Sequence, residues 1–170
     1  MDEPENPAKD EELWRFSLAF YDRPGIAEAL IALQDRDGCD VNVMLFALWL
    51  GMSGRGPLGD ELLAAADRET AILRSEIVEP LRSIRRTLRH HSDSDVQNLR
   101  EDVKALELAG EKLIQKRLAR LAGPGPGRTD AEGCRATALA NLARYLGPER
   151  IRRREAGVIG EAFDAFAREL

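Results

Sequence analysis

The stretch DGCDVNVMLFALWLGMSG, residues 37–54, decides the fold. Eight apolar residues run unbroken from Val43 to Leu50, polar Asp40 and Asn42 precede them, and glycines stand at both ends. The run is far shorter than the ~20 apolar residues that a membrane-spanning helix needs. It reads instead as a helix over about 41–51, buried on all sides at the centre of a bundle. Asp40 fits its N-cap, where a carboxylate accepts an orphan backbone N–H. Gly38 fits the left-handed position that ends the helix before it.

Working outward, the other apolar positions fall mostly at helical spacing. On the N-terminal side, Asp10 can cap a helix over 11–21 that carries Leu13, Trp14, Phe16, Leu18, Phe20 and Tyr21 on several sides, the pattern of a buried helix. After the break DRPG at 22–25, Ile26, Ala29, Leu30 and Leu33 keep the i, i+3, i+4, i+7 rhythm of a second helix, 26–36. Residues 1–9, with Pro4 and Pro7, read as a disordered acidic tail.

On the C-terminal side, GMSGRGPLG is a loop. An amphipathic segment from about Asp60 follows, with Leu62, Ala66, Leu73 and Ile77 on one stripe and Glu69 within it. Pro80 lacks a backbone donor, so a kink or restart is expected there before the helix runs on to about Arg89. Ser94 with Gln97 reads as a capping box for a long helix, 95–121. Its stripe of Val96, Leu99, Val103, Leu106 and Leu113 drifts to Ile114, Leu118 and Leu121, as in a straight bundle helix. The Gly/Pro stretch 122–130 is a mobile loop, and Thr129 with Glu132 caps a helix to about 146. A last helix, about 149–168, follows Gly147-Pro148. The fold class is all-α: a single helical domain, 10–170, folded as a compact bundle of about seven helices.

Composition bounds the function. With 170 residues, 44% hydrophobic, 32% charged and only 5% aromatic, the chain is globular and favours helix over sheet. A net charge of −5 argues against sequence-independent nucleic-acid binding, which needs a basic footprint. Cys39 and Cys134 match no zinc or redox spacing and read as free thiols. The N-terminus MDEPENPAKDEE lacks the regions of a signal peptide. A reduced, cytoplasmic protein with no membrane span and no nucleic-acid partner is expected.

LWRFSLAFYDRPGIAEALIALQDRDGCDVNVMLFALWLG, 13–51, resembles an uncharacterised bacterial family, a domain of unknown function. Its members share a Leu-Trp-x-Phe start, a Leu-Gln-Asp stretch, and Asp-Val-Asn before an apolar helix that ends in Trp-Leu-Gly. VEPLRSIRRTLR, 78–89, is similar to that family's second segment. The resemblance implies a bacterial cytoplasmic protein. It carries no activity and no functional residues.

Among chemistry-bearing residues the foremost group is basic. Arg82, Arg85, Arg86 and Arg89 sit at i, i+3, i+4 and i+7 on one helical face, beside the apolar face of Leu81, Ile84 and Leu88. Arginine is the planar, bidentate partner of carboxylate and phosphate. Such a face grips an anionic ligand or an acidic partner, unless glutamates of neighbouring helices such as Glu101 and Glu107 answer it. The run RIRRRE, 150–155, lies near the start of the last helix, where cations oppose the helix dipole and call for an anionic neighbour. His90, His91, Asp93 and Asp95 have the types of metal ligands but not the spacing, and read as a capping turn. Asn42 enters an apolar helix and must find hydrogen bonds, either with nearby protein groups or with a ligand.

No catalytic arrangement, cofactor motif or metal site stands out. The expected function is therefore a non-enzymatic interaction module, a regulator or assembly factor, that uses the Arg face or an apolar groove to meet an acidic protein surface or an anionic ligand. The alternative is a small-molecule binder or helical enzyme with a pocket between the N-terminal helices, lined by Trp14, Asn42, Phe46 and Trp49. Self-association stays open.

Overall fold

A computed structural model of the chain describes residues 11–123, 125 and 130–169. The expected tail at 1–9, the Asp10 cap, Thr129 and loop residues 124 and 126–128 lie outside that set. Among the described residues there are seven helices and no strand. They are α1 (Glu12–Tyr21), α2 (Ile26–Asp37), α3 (Val41–Met52), α4 (60–88), α5 (Ser94–Leu121), α6 (Ala131–Arg150) and α7 (Arg154–Ala167).

α3 is the centre of the bundle. Every residue from Asn42 to Met52 is buried. The helix starts as its sequence dictates: Gly38 takes a left-handed φ of 67°, and Asp40 accepts the Asn42 backbone N–H at 2.8 Å. One side of α3 packs on α6, with α2 and α7 completing a core of Ile26, Leu30, Leu33, Met44, Leu48, Leu142, Ile159 and Phe163. Phe20 of α1 seals this core against Phe163 and Phe166, with ring centroids 5.7 and 5.4 Å away. The other side carries Phe46, Ala47, Trp49 and Leu50 into a second core with Leu13, Leu58, Ala66, Val78, Ile114 and Leu118. Gly51 lets α3 and α6 touch: a Cβ there would run into the Ala138 backbone. Asn141 of α6 pins the loop after α3, donating to Ala47 O and Gly56 O and accepting the Leu58 N–H at 2.7 Å.

α4 differs from expectation at Pro80. The helix neither breaks nor restarts but runs on through a π-helical turn, Arg74–Val78, between Asp60–Leu73 and Glu79–Leu88. The proline ring would clash with the carbonyl of Glu76, four residues back, and the wider turn falls on that residue. Within the stripe, Thr70 is buried and Glu69 is exposed.

Two caps also sit one residue from where the capping boxes place them. Asp93, not Ser94, takes the Asp95 and Val96 N–H groups, while Gln97 caps the end of α4 through Leu88 O and His91 O. Asp130 takes the Glu132 N–H. In both places an ionised carboxylate stands next to the hydroxyl residue and accepts more strongly. α6 loses helical geometry at Gly147 (φ 73°, ψ 177°), and α7 begins at Arg154 rather than 149, because 151–153 form a turn.

α1 is amphipathic rather than buried all round. Leu13, Ser17 and Phe20 are buried, while Leu18 is half exposed. In α5 the stripe Leu99, Leu106, Leu113 is also half exposed, and the buried face is Val103, Glu107, Gly110, Ile114, Gln115 and Leu118. Cys39 is buried, Cys134 is partly buried, and both are free thiols. No helix among the described residues is long and apolar enough to cross a membrane.

Candidate functional site

The arginine face of α4 divides in two. Its inner half is answered from α5. Arg82 donates from Nε to Glu107 Oε1 at 3.1 Å and from Nη2 to Glu111 Oε1 at 2.7 Å. Arg85 donates from Nε to Glu107 Oε2 at 2.5 Å. The outer half is loosely held or open. Arg86 reaches Asp35 only at 3.5 Å, both exposed, and Arg89 is exposed with no ion pair among the described residues. Glu101 makes no ion pair with the stripe and acts on Arg85 only through its charge; it pairs with Arg100 and Lys104 on its own helix.

These pairs set the protonation of the site. Burial pushes Glu107 up, but the hydrogen bonds from Arg85 and Arg82 outweigh it and hold this carboxyl below its ordinary range. Glu111 goes the other way. Burial raises it, and the Asn42 amide and the Arg82 charge do not fully compensate.

Asn42 is buried at the start of α3 and bridges to α5. Its Nδ2 donates to Glu111 Oε2, and its Oδ1 accepts from Gln115 Nε2 at 3.0 Å. Beside it Asp40, besides capping α3, binds Arg74 Nη1 through Oδ2 at 2.7 Å and donates its own N–H to the Tyr145 hydroxyl at 2.6 Å. Burial pushes that tyrosine up to about 12. The π-helical turn begins at Arg74, so the local widening of α4 starts at the arginine that clamps Asp40.

Asn42, Gln115, Arg82, Arg85, Glu107 and Glu111 form one wall of a half-open cavity of about 360 Å³ between α1, α2, α3, α4 and α5. Trp14, Leu18, Tyr21, Ile31, Val41, Leu45 and Leu108 give it an apolar lining. Arg82, Arg85, Arg86 and Lys104 bring four cations against the two carboxylates Glu107 and Glu111. Ser17, Gln34, Asn42 and Gln115 complete it. Behind Asn42, Arg82 and Glu111 lies a second cleft of about 160 Å³, lined also by Asp40 and Arg74.

Three of the eight residues singled out in the sequence do not reach this cavity. Trp14 and Asn42 line the cavity, as do Arg82, Arg85 and Arg86. Phe46 and Trp49 lie further along the same face of α3, closed into the second core, with Arg55 stacked 4.3 Å over the Trp49 ring. Arg89 is one turn too far along α4 to line it. Sequence reasoning missed Ser17, Lys104, Glu111 and Gln115. A signal was present in α5: Lys104, Leu108, Glu111 and Gln115 recur at i, i+4, i+7 and i+11, one face beside the apolar stripe.

The other basic run is answered internally at Arg153, while its Glu155 takes an arginine from α2. Arg153 donates to Asp37 at 3.1 Å, and Arg36 to Glu155 at 2.6 Å. In the turn before α5, Asp93 serves as cap, and no group of three or more metal-ligating side chains converges among the described residues.

No curated protein and no solved structure matches the chain. A family model does, over residues 12–118, which include every residue that lines the cavity. The chain thus belongs to the family described as Protein of unknown function (DUF2390).

Proposed function

We propose that the chain is a small-molecule-binding protein whose ligand, an amphipathic anion, occupies the cavity between α1, α2, α3, α4 and α5. One observation carries the reading. Four cations, Arg82, Arg85, Arg86 and Lys104, face two carboxylates, Glu107 and Glu111, in a cavity otherwise lined mainly by apolar Trp14, Leu18, Ile31, Val41, Leu45 and Leu108. A cavity of this size, mostly apolar with a few placed polar and charged groups, is where a small ligand binds. The cationic excess at the Arg86–Lys104 side favours an anionic group. Leu18, Ile31 and Leu108, three of the exposed large aliphatics of the molecule, stand at the same cavity, where a ligand's apolar body would cover them.

The test is titration with anilinonaphthalene sulfonate, an amphipathic anion that fluoresces when its rings leave water. Saturable one-site binding is expected, weakened by salt and weakened several-fold more by Arg86→Glu with Lys104→Glu. Both residues are exposed, so that variant keeps the wild-type melting curve. Binding that never saturates, or that is unchanged in the double variant, overturns the reading.

A second reading, a protein-interaction module, is favoured by a different observation. Ile77, Ile84, Leu99, Leu106 and Leu113 form a half-exposed aliphatic set on α4 and α5. It is the weaker of the two, since an exposed aliphatic face also arises where a chain meets its own copy.

A further inference from the structure

The face of α4 and α5 that looks away from the cavity carries its own row of aliphatics. Two residues along a helix turn it by about 200°. Lys104 and Leu108, on either side of Leu106, both line the cavity, as do Arg82 and Arg86 on either side of Ile84. Leu106 and Ile84 therefore point away from it, and both are half exposed. The two stand level: Val78 lies against Gly110 and Arg85 binds Glu107, which places Ile84 beside Leu106. Ile77 continues the row on α4, and Leu99 and Leu113 continue it on α5, all half exposed and none at the cavity.

On α5 this row is symmetric in position and opposite in charge. Leu99 and Leu113 stand seven residues to either side of Leu106, and Asp95 and Arg117 stand eleven to either side. At ~100° per residue all five fall within about 40° of one another, along about 33 Å of helix axis. Asp95 and Arg117 are exposed, and neither makes an ion pair among the described residues. Turned end for end, the row sets acid on base and leucine on leucine; laid parallel, it sets acid on acid. Beside the α4 row, Pro80, Ser83 and Thr87 are exposed and uncharged, so nothing there repels a copy of itself. A two-fold axis demands a self-complementary patch of this kind, whereas a different protein does not.

We propose that this face is the interface of a two-fold symmetric homodimer, independent of the ligand cavity. α5 packs antiparallel on α5 of a second copy, with Leu106 and Ile84 at the axis, Leu99 on the partner's Leu113, and Asp95 on the partner's Arg117. Asp102, exposed on the rim, comes level with the partner's Lys112. The interface is small and aliphatic, with no aromatic anchor, so the dimer is of the weak class, with a Kd of roughly 10–100 µM. In dilute solution the chain is monomeric.

Sedimentation velocity of the full chain from ~1 to ~500 µM reads the association. A reversible monomer–dimer equilibrium is expected. Leu106→Glu sets two like charges at the axis and is expected to weaken it about tenfold or more. Asp95→Arg alone sets arginine on arginine at both ends, and Arg117→Asp alone sets aspartate on aspartate; each is expected to weaken the dimer several-fold. An equimolar mixture of those two variants pairs every arginine with an aspartate, and is expected to associate within about twofold of the wild type. Melting curves in dilute solution separate a lost interface from a damaged helix. If a charge variant melts early there, because its new charge opposes the helix dipole, the wild type and Leu106→Glu still decide the point. A wild type that stays monomeric throughout leaves the face to a different protein or to none and overturns the proposal. A dimer that Leu106→Glu leaves intact, or a mixture of well-folded charge variants no stronger than its components, overturns it too. The cavity reading is untouched by any of these results, since no residue of this face lines the cavity.

Discussion

α3 and α5 solve the problem of burial in opposite ways. α3 hides every residue from Asn42 to Met52 and achieves this with apolar side chains, a single polar entrant and a glycine for close approach. α5 is more than twice as long, yet only seven of its residues are buried, and Glu107 and Gln115 are among them. Meanwhile Leu106, flanking the buried face, is 59% exposed. A helix that turns a glutamate inward and a leucine outward has been shaped by something other than maximal apolar burial. In α5 that something is the polar wall of the cavity: Glu107 and Glu111 for Arg82 and Arg85, and Gln115 for Asn42. The lesson is that α3 holds the fold and α5 shapes the site.

The sharpest way to break the first half of that comparison is Gly51→Leu. A side chain there must push α3 off the Ala138 backbone, through the middle of both cores. Overpacking against backbone has no cheap relaxation, and a loss of about 4 kcal/mol or more is expected, read as the absence of a cooperative thermal transition. A normal melt would show that α3 is not the central support.

Next in size is Glu107→Gln, which keeps the shape but removes the charge that two arginines share. A loss of about 1–3 kcal/mol at neutral pH is expected, since Arg82 and Arg85 stay half-buried with a weaker acceptor. The pH dependence has a definite sign. The carboxyl of Glu107 is held below its ordinary value in the folded chain. Its stabilisation is therefore present above the unfolded carboxylate range, ~4.3, and is lost as the pH falls through the lower folded value. The gap between wild type and variant should close on acidification. Glu111, raised in the fold, has the reverse linkage: its ionisation costs stability as the pH climbs from the unfolded towards the folded value. Glu111→Gln should accordingly cost less than Glu107→Gln at neutral pH. Chemical denaturation from pH 3 to 8 measures both, and a gap that widens in acid would contradict the assignment.

How much of this was legible in the sequence differs between the same two helices. For α3 and its neighbour α2 almost everything was. Ile26, Ala29, Leu30 and Leu33 are the buried residues of α2, and Gly38 and Asp40 make the turn that their φ preference and carboxylate demand. There, apolar identity and burial coincide, so periodicity suffices. For α5, periodicity identified which residues share a face but not which face turns inward. That depends on partners from α3 and α4, which no local pattern displays. Asn42 was recognisable as needing a partner, but Gln115 as that partner was not. Phe46 and Trp49 lie on the same face as Asn42, but they are closed into the second core with Leu13, Leu58, Ile114 and Leu118, residues from three other segments that no local pattern brings together. At Pro80 the local rule was sound, but a π-helical turn was a cheaper answer than a break.

The smallest effect sharpens the comparison most. Leu106→Gln exchanges an aliphatic side chain in the middle of the longest helix for a polar one of similar length and similar helix propensity. Read from periodicity, Leu106 is a core position, and its replacement should cost several kcal/mol as buried leucines do. Read from the fold, it is 59% exposed, while Glu107 beside it carries the burial. A surface substitution of this kind changes stability by about 0.5 kcal/mol or less. The same exchange at Leu118, fully buried on the same helix, should then be severe by comparison, because it places an unpaired amide in the second core. Equilibrium denaturation of the two variants side by side, at a concentration where the chain is monomeric, measures the contrast. A neutral Leu106→Gln with a disabled Leu118→Gln fits a helix whose middle turns serve the cavity and whose last turns serve the core. A Leu106→Gln variant that unfolds as readily as Leu118→Gln would mean that the aliphatic row is covered within the single chain, and the division of labour along α5 would fall with it.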